Sequence, residues 1–566
     1  MTALKNWLLI TLLGLLPTVT QAQQAQRKAP VTESAPTTGI SESSGELDRM
    51  LDQIIKREQD EIAAFSLYRP VVETYVQELK HGEGGDFVPF HDAYYLGIVD
   101  LSTGIHVHSI LPRTGGPLGI LDDYGAYIPE GFPQMIYIDR YHFDRKHYEF
   151  HYAGKAFLGE VRCLVFDVHP SRNSGKNRFI GRIWVEDRDY TVVRFNGVVI
   201  PQTDHRHGYK SHFDCWRVNV QPRLWLPAYI FNEELNPDWF GIPPFKCQTR
   251  FWGYHLRPDS QQGEFSDLSI SSQDPIRDDS TGAEHDLSPV EARRGWTHQA
   301  EENVIDALVQ EGLVARPGQV DKVLNTVLNN IEVTNNIDLD PEPHCRVMLT
   351  SNLELFSIGH TIVVSRGLLD VLPDETTLAV MLAEELSDAM APKTTTDQYG
   401  FADILQTSAT QAMKRFALRD SHRDWQAAGE AAIELLRNSP YRGNLRATAL
   451  FFEQLNRESK RMPHLISAHL GNRVYAAPEL VNAGPPLQPE KLDQIAALAL
   501  GARIKVDPWS DEVEMMKSKQ VRLQSAREKM PFEITPFLPY LTRYHDSDTS
   551  TNPTEPTAAV KGQPKR

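Results

Sequence analysis

A period of two in the placement of apolar side chains runs through residues 92–258 and constrains the fold of this chain more than any other feature. The β-branched and aromatic segments that carry it are Cys163–Val168, Gly181–Glu186, Tyr190–Phe195, Trp216–Val220 and Thr249–Tyr254. The polar stretch Asp187–Asp189 separates two of these segments, which predicts a β-hairpin. Many short strands with turns between them predict a twisted antiparallel sheet or an open barrel.

The residues ahead of this region follow a helical spacing instead. Leu51, Ile54 and Ile55 share one face of a helix predicted over Gly45–Lys80, with Pro70 as its expected break. An uncovered apolar sheet face would be too large a patch for a monomer to expose. Either this helix fills that face or the face encloses a ligand cavity, and the sequence leaves both open.

The N-terminus has the parts of a secretory signal peptide. Lys5 precedes the apolar run Trp7–Leu16, Pro17 ends that run, and Thr20–Ala22 places small residues before a cleavage point near Ala22. The run is too short to span a bilayer comfortably, and no later stretch reaches 18 uninterrupted apolar residues. We therefore expect a periplasmic or secreted protein with no transmembrane segment in its mature form.

A chain of 566 residues exceeds one ordinary domain, and composition marks the expected boundaries. They define a signal peptide at 1–22, a flexible linker at 23–44, the helix and β region at 45–260, a linker at 261–290, a mainly helical domain at 291–530 and a C-terminal tail at 531–566, disordered after about 545. The expected fold class is α+β and multidomain. A net charge of −17 argues against nucleic acids and anionic membranes as partners.

The stretch R-F-I-G-R-I-W-V-E-D-R-D-Y-T-V-V-R-F-N-G, residues Arg178–Gly197, carries a resemblance. It contains a Gly-x-Ile-Trp-Val motif, a turn and a Val-x-Arg motif in succession. This arrangement is similar to that of neighbouring strands in the outer-membrane lipoprotein-sorting family of LolA and its relatives. The resemblance extends over roughly residues 90–258. It implies an antiparallel half-barrel whose concave face holds an acyl chain or a hydrophobic segment of a partner.

A second informative stretch is L-A-V-M-L-A-E-E-L-S-D-A-M in the C-terminal half. Asp374 is a good N-cap for a helix predicted over Glu375–Ala391, which a proline then closes. Glu385 and Asp388 continue the apolar stripe of this helix, and Glu384 lies beside it. Carboxylates on the continuation of an apolar stripe are not typical of an ordinary solvent-exposed face.

Three further stretches accompany this helix. They are F-S-I-G-H-T-I-V-V-S-R-G-L-L-D-V-L-P-D-E (Phe356–Glu375), A-A-I-E-L-L-R-N-S-P-Y (Ala431–Tyr441) and A-L-F-F-E-Q-L (Ala449–Leu455). In order and spacing they resemble the HtpX-type zinc metallopeptidases (peptidase family M-48), which are gluzincins with an H-E-x-x-H motif. The resemblance covers roughly residues 295–475 and implies a mainly α-helical, gluzincin-like domain after the half-barrel.

The metal ligands of that family are missing when its motif is carried over residue by residue. In such peptidases two His at i and i+4 and a Glu of a later helix hold zinc, and a Glu beside the first His activates the bound water. The His positions are Glu384 and Asp388, the general-base position keeps Glu385, and the later ligand position is Ala427, which has no donor atom. The resemblance therefore implies an inactive site that holds no metal and no other cofactor.

Two other interpretations of the motif stay open. The carboxylates of Glu384, Glu385 and Asp388 have the oxygen donors that Ca²⁺ or Mg²⁺ prefers. Alternatively, His422 and Asp424, one turn before the third ligand position, supply a displaced ligand. In that case the chain is an active metalloendopeptidase with an atypical zinc site.

The remaining reactive residues are interpreted as structural. His344 and His360 lie in or beside segments that are predicted to form strands, and Cys345 lacks the surroundings of a nucleophile. The chain has four cysteines at wide spacing. Disulfides are permitted in an exported chain, but this spacing establishes no framework of them.

These observations predict a catalytically inactive relative of the zinc metallopeptidases that acts in the bacterial envelope. Its peptidase-like cleft would bind a protein, peptide or lipoprotein client, in a role such as envelope quality control, and its half-barrel would bind lipid, lipoprotein or the same client. One alternative is the active metalloendopeptidase, which would need zinc. The other is a lipid carrier that holds an acyl chain in the half-barrel.

Overall fold

The computed structural model describes residues 44–82, 87–102, 105–111, 129–172, 174–175, 178–200, 211–236, 243–254, 289–390, 425–443, 445–466, 470, 474, 481–482, 501, 503–516 and 532–544. The chain divides into two compact units, residues 1–49 and 50–566. In the first unit the structure describes the start of one helix, in which Arg49 Nε donates a hydrogen bond of 3.0 Å to the Gly45 carbonyl. The predicted signal peptide and the far C-terminal tail lie outside the described residues.

The described elements are numbered in chain order. The helices are α1 (Ser44–Phe65), α2 (Pro289–Gln310), α3 (Gln319–Asn335), α4 (Arg366–Val371), α5 (Glu375–Met390), α6 (Trp425–Asn438), α7 (Leu445–Glu458) and α8 (Pro463–Ile466), with 3₁₀ helices at Pro129–Ile136 and Pro440–Gly443. The strands are β1 (Val71–His81), β2 (Phe87–Asp100), β3 (His106–Ser109), β4 (Tyr148–Leu158), β5 (Val161–Pro170), β6 (Arg178–Glu186), β7 (Val192–Ile200), β8 (His212–Gln221), β9 (Leu224–Glu234), β10 (Phe245–Trp252), β11 (His344–Met348), β12 (Leu355–Ile358), β13 (Thr361–Ser365), β14 (Ile504–Val506) and β15 (Val513–Met515).

Ten strands form one large sheet in the order β3-β2-β1-β10-β9-β8-β7-β6-β5-β4. Every neighbouring pair in it is antiparallel, as the period of two predicts. The predicted hairpin is confirmed, because β6 and β7 pair on either side of the turn at Asp187–Asp189. The mixed α+β class is therefore confirmed, with a large antiparallel sheet in its N-terminal half.

The predicted helix over Gly45–Lys80 is wrong in its second half. Helix α1 ends at Phe65, and residues from Val71 onward form β1 in the middle of the sheet. Pro70 separates the two elements, and V-V-E-T-Y-V after it is β-branched and aromatic. Pairing with β2 and β10 on both sides therefore decides the conformation of this segment.

Two glycines of the LolA-like stretch, Gly181 and Gly197, lie opposite each other on β6 and β7. A Cβ added at Gly181 would lie 2.2 Å from the Asn196 carbonyl oxygen and 2.7 Å from the Phe179 ring. The absence of side chains at both positions lets the Phe179 ring lie over the two strands. This explains why the Gly-x-Ile-Trp-Val motif begins with glycine in this chain.

Helix α1 covers one face of the sheet, together with the 3₁₀ helix Pro129–Ile136. Glu58 of α1 forms a fully buried ion pair with Arg217 of β8, with N–O distances of 2.6 and 2.7 Å. The Arg217 guanidinium also donates to the Ile136 carbonyl at 3.2 Å and lies 5.0 Å from the Phe65 ring centre. The side chains of α1 and of the 3₁₀ helix therefore pack on the same face.

The opposite face of the sheet packs against the C-terminal half of the chain. Trp252 Nε1 donates to the Gly312 carbonyl at 2.6 Å, and Gln77 Nε2 donates to the Phe532 carbonyl at 2.6 Å. The backbone N–H of Ile534 returns a hydrogen bond of 2.9 Å to Gln77 Oε1. Buried apolar residues of both halves belong to one continuous core.

The C-terminal half contains a three-stranded sheet of order β11-β13-β12, with β11 parallel to β13, and the helices α3 to α8 around it. Cys163, Cys215, Cys247 and Cys345 are all buried free thiols. No helix in the part of the chain that the structure describes is long and apolar enough to cross a membrane.

Candidate functional site

Helix α5 begins where the sequence predicts. Asp374 caps it, because its Oδ1 accepts hydrogen bonds from the Thr377 N–H at 2.9 Å and the Thr377 hydroxyl at 2.8 Å. Tyr441 OH donates to Glu375 Oε1 at 2.9 Å and ties the first turn to the following 3₁₀ helix. The structure describes this helix as far as Met390, and the predicted end at Ala391 lies outside the described residues.

The structure buries the carboxylates of the peptidase-like motif. Glu384 is 4% exposed and Glu385 is 2% exposed, while Asp388 in the last turn is half-buried. All residues from Thr377 to Leu386 are buried, so this part of α5 has little contact with solvent. A general base that acts on a metal-bound water needs access to that water, and the Glu385 side chain has almost no solvent contact.

The helix with the third ligand position lies beside α5. Ser387 Oγ donates to the Ala428 carbonyl of α6 at 3.3 Å, so the start of α6 meets the end of α5. Ala427 is exposed, and Gly429 is buried. The start of α6, with the methyl group of Ala427, therefore lies beside the end of α5.

These residues do not fit a catalytic zinc ion. Zinc sites of this type take two imidazole nitrogens and a carboxylate, whereas the corresponding side chains here are two acids and an alanine. Within the described ranges, no three His, Cys, Asp or Glu side chains are placed to hold a metal ion together. The alternative ligands His422 and Asp424 lie outside the described residues, so the atypical zinc site stays a prediction.

His344 and Cys345 have the surroundings of structural residues. His344 Nε2 lies 3.1 Å from Thr361 Oγ1, and burial lowers the His344 pKa. Cys345 is fully buried, and burial raises the pKa of its thiol, which opposes formation of a nucleophilic thiolate. The His360 carbonyl accepts a hydrogen bond from the His344 N–H at 3.0 Å, which joins the two segments that contain these histidines.

A buried cluster of charged residues joins the sheet to the C-terminal half, and the sequence did not reveal it. Glu73 of β1 accepts hydrogen bonds from the Ser351 hydroxyl at 2.6 Å and from Arg366 Nη2 at 3.1 Å. Arg366 Nη1 lies 3.6 Å from Asp370. The Asp370 carboxylate also accepts the backbone N–H groups of Gly501, Arg503 and Ile504 at 2.8 to 3.0 Å. The S-R-G-L-L-D motif at residues Ser365–Asp370 thus supplies side chains that attach the C-terminal half to the sheet.

A second junction between the halves is formed by Asp92 of β2. Its carboxylate accepts the backbone N–H groups of His464 at 3.0 Å and Leu465 at 2.8 Å, and the Tyr75 hydroxyl at 3.1 Å. Burial raises the Asp92 pKa to about 7, although these hydrogen bonds act in the opposite direction. The start of α8 is therefore attached to the sheet by a carboxyl group that titrates near neutral pH.

Strand β4 forms one edge of the large sheet, and no strand in the described part of the chain pairs with its outer side. It has 11 residues, and most of its side chains are exposed or half-exposed. Tyr152 is 41% exposed and Phe157 is 69% exposed. A register shift between Tyr152 and Gly154 interrupts its pairing with β5. The other described edge strand, β3, has only four residues.

Comparison with known proteins leaves the family open. No protein-family model matches the chain. No curated protein matches it either.

Several solved structures are similar to part of the chain. A DUF1329 family protein from Desulfovibrio piger is 10% identical, with 38% of this chain and 93% of that chain covered and a TM-score of 0.20. A LolA superfamily protein from Nitrosomonas europaea is 9% identical, with 36% and 90% covered and a TM-score of 0.19. The MucA/MucB complex of Pseudomonas aeruginosa is 8% identical, with 36% and 93% covered and a TM-score of 0.12. These scores assign no family to the chain.

Proposed function

We propose that this chain is an exported, non-catalytic binding protein of the bacterial envelope. On this proposal it holds an extended segment of a protein or lipoprotein client along the outer side of β4. The observation that carries the proposal is the long, exposed edge strand with Tyr152 and Phe157 on it. Addition of a client strand to a sheet edge is a common mode of peptide recognition, in which main-chain hydrogen bonds supply affinity and side-chain pockets supply specificity.

The two edges of the sheet support this assignment by their difference. Proteins protect sheet edges by making them short, bulged, charged or covered. Strand β3 is short, whereas β4 is long and retains two exposed aromatic side chains. The register shift after Tyr152 and the charge of Lys155 oppose indiscriminate pairing but leave regularly paired stretches of β4 on either side for a specific client.

The covered faces of the sheet favour edge binding over lipid transport. Helix α1 and its buried Glu58–Arg217 pair occupy one face, and the C-terminal half packs on the other. An acyl chain would have to displace one of these layers, and displacing α1 would break the buried ion pair. The same layers therefore stabilise the sheet as a rigid platform that presents β4.

The non-catalytic part of the proposal rests on the motif helix. The Glu385 carboxylate is buried, and the third ligand position is an exposed alanine. Casein cleavage by purified mature protein, assayed with zinc and with a chelator, should show no chelator-sensitive activity. The Glu385→Gln variant should be indistinguishable from the original protein. Near-stoichiometric zinc together with cleavage that Glu385→Gln abolishes would contradict this proposal and direct attention to His422 and Asp424.

Edge binding can be tested with a library of ten-residue peptides selected against the purified protein. In hydrogen exchange, a selected peptide should protect backbone amides within Tyr148–Leu158. The Phe157→Ser variant should weaken binding about tenfold, because burial of one large aromatic side chain contributes roughly 1.5–3 kcal/mol. Trp296→Ser on α2 is the matched control, since Trp296 is 66% exposed and lies on another element. Protection elsewhere, or equal losses in both variants, would refute the proposal.

A further inference from the structure

A polar cleft lies between the C-terminal half of α3 and the segment that enters β11. Its volume is about 300 Å³, and it is lined by Asn325, Asn329, Glu332, Glu342, Pro343 and His344. The three residues from α3 are spaced by four and three positions, so they occupy one face of the helix. None of these residues belongs to β4 or to the peptidase-like motif.

Glu332 is the unusual residue of this cleft. It is 7% exposed, and no hydrogen bond or ion pair joins its carboxylate to another residue in the ranges that the structure describes. Burial, and then the negative charge of Glu342, raise the pKa of Glu332 to about 7. A buried carboxylate is normally paired, because removal of its charge from water is unfavourable.

The position of Glu332 on α3 adds a second unfavourable interaction. The C-terminus of a helix carries partial negative charge, which favours cations in the last turn. The last turn of α3 has no basic residue, and Glu332 lies just before it. Both the helix terminus and the two carboxylates would therefore be stabilised by a positive charge in the cleft.

The other lining groups are compatible with a cation. Burial, followed by the charge of Arg346, lowers the His344 pKa, so this imidazole is neutral at pH 7. Arg346 itself donates to the Ala315 carbonyl at 2.9 Å. Asn325 Oδ1 accepts the Cys345 N–H at 2.6 Å, which fixes this side chain at the cleft, while Asn329 is exposed and its carboxamide oxygen is available to a ligand.

We propose that this cleft binds a compact organic cation, an ammonium or guanidinium group carried by a basic peptide side chain or by a free amine. A divalent metal ion fits less well, because no three His, Cys, Asp or Glu side chains of the described regions converge on one point. A volume of about 300 Å³ is suited to one side chain or one small molecule and not to a folded segment. The site is independent of client binding at β4.

The test is calorimetric titration of the full mature protein with N-acetyl-arginine amide, agmatine and the tripeptide amide Ala-Arg-Ala at pH 8. N-acetyl-glutamine amide is the neutral control ligand. Glu332→Gln should weaken arginine amide binding by about tenfold or more, since it replaces the charged hydrogen-bond acceptor for the cation by a neutral one. Glu342→Gln, at an exposed position, should weaken it about threefold, within the range for a solvent-screened ion pair. Glu430→Gln on α6 should leave it unchanged.

The comparison of ligands and pH then separates the outcomes. Equal affinities for agmatine and the tripeptide would assign the site to free amines, and tighter tripeptide binding would assign it to peptide side chains. Binding should weaken between pH 8 and pH 5.5, because the Glu332 carboxylate, with its pKa raised to about 7, takes up a proton in this range and loses its negative charge. Retained affinity in both Glu332→Gln and Glu342→Gln, binding of the glutamine amide, or no binding of any cation would overturn the proposal.

Discussion

Two regions of the molecule, the sheet face under α1 and the cleft beside α3, treat buried charge differently. In the large sheet, Arg217 is fully buried and pairs with Glu58 through two short hydrogen bonds. Burial opposes the charge on Arg217, but the Glu58 carboxylate outweighs this effect and raises the Arg217 pKa. In the cleft beside α3, Glu332 is 7% exposed and has no such partner among the residues that the structure describes.

This difference distinguishes a charge that stabilises the fold from one that destabilises it. A paired buried charge holds two elements in register, as Glu58 and Arg217 hold α1 on β8. A buried carboxylate without a partner lowers the stability of its own fold, and such groups are concentrated at binding and catalytic sites. The contrast can be measured, because removal of a paired charge and removal of the unpaired one should change stability in opposite directions.

The largest effect is expected from Arg217→Met. It leaves the Glu58 carboxylate buried without its partner, and loss of one member of a buried ion pair costs about 3–5 kcal/mol. Urea denaturation at pH 7 measures the free energy of unfolding. The double variant Glu58→Leu/Arg217→Met is the control and should regain most of the loss, since the Glu58 carboxylate is then no longer buried without its partner. A small effect of Arg217→Met alone would show that the pair does not fix α1.

Glu73→Gln should have the next largest effect. It weakens the hydrogen bonds to Ser351 and Arg366 and leaves the Arg366 guanidinium with only Asp370 as an acidic partner at 3.6 Å. Loss of a hydrogen bond to a buried charged group costs about 1.5–3 kcal/mol. Because Glu73 joins the sheet to the C-terminal half, amide exchange should also accelerate in β11 to β13. Unchanged exchange there would show that the two halves are held together by other contacts.

The third prediction concerns the unpaired acid. Glu332→Gln should stabilise the protein at pH 8 by about 1 kcal/mol. This is less than the shift in the Glu332 pKa would give at roughly 1.4 kcal/mol per pKa unit, because water in the cleft screens the charge. The Glu332 pKa is raised to about 7 in the folded state, so its native form is favoured at low pH and loses stability as the pH rises through 7. The advantage of the variant should therefore shrink between pH 8 and pH 5 in thermal melts. A destabilised variant at pH 8 would indicate a partner for this carboxylate.

Local sequence patterns predicted five strands of the sheet, β5 to β8 and β10, and helix α5, because these elements have an uninterrupted period or a clear N-cap. They failed at β1, where a mixed V-V-E-T-Y-V-Q-E-L stretch follows a helix closely. Its strand conformation depends on pairing with β10, which lies far away in the chain. A periodicity window cannot detect such a partner.

The candidate sites show the same limit. The sequence placed Glu384, Glu385 and Asp388 on one helix, and the structure confirms this helix and its neighbour α6. It could not show that the first two carboxylates are buried. The Glu73–Arg366 contact spans 293 positions, and Glu332 lies in an ordinary amphipathic helix, so neither had a local signature.

The smallest effect is expected at an exposed pair on the sheet. Arg182 and Asp167 on β6 and β5 form an ion pair with an N–O distance of 2.7 Å, and both side chains are more than a third exposed. Exposed pairs contribute about 0–1 kcal/mol, because water and salt screen them. Arg182→Gln should therefore change the free energy of unfolding by less than about 0.5 kcal/mol at physiological salt. Asp167→Asn, which removes the other charge of the pair, is the matched control. If either variant lost as much stability as Arg217→Met, pairing and not burial would determine how much a charge on this sheet contributes to the free energy of unfolding.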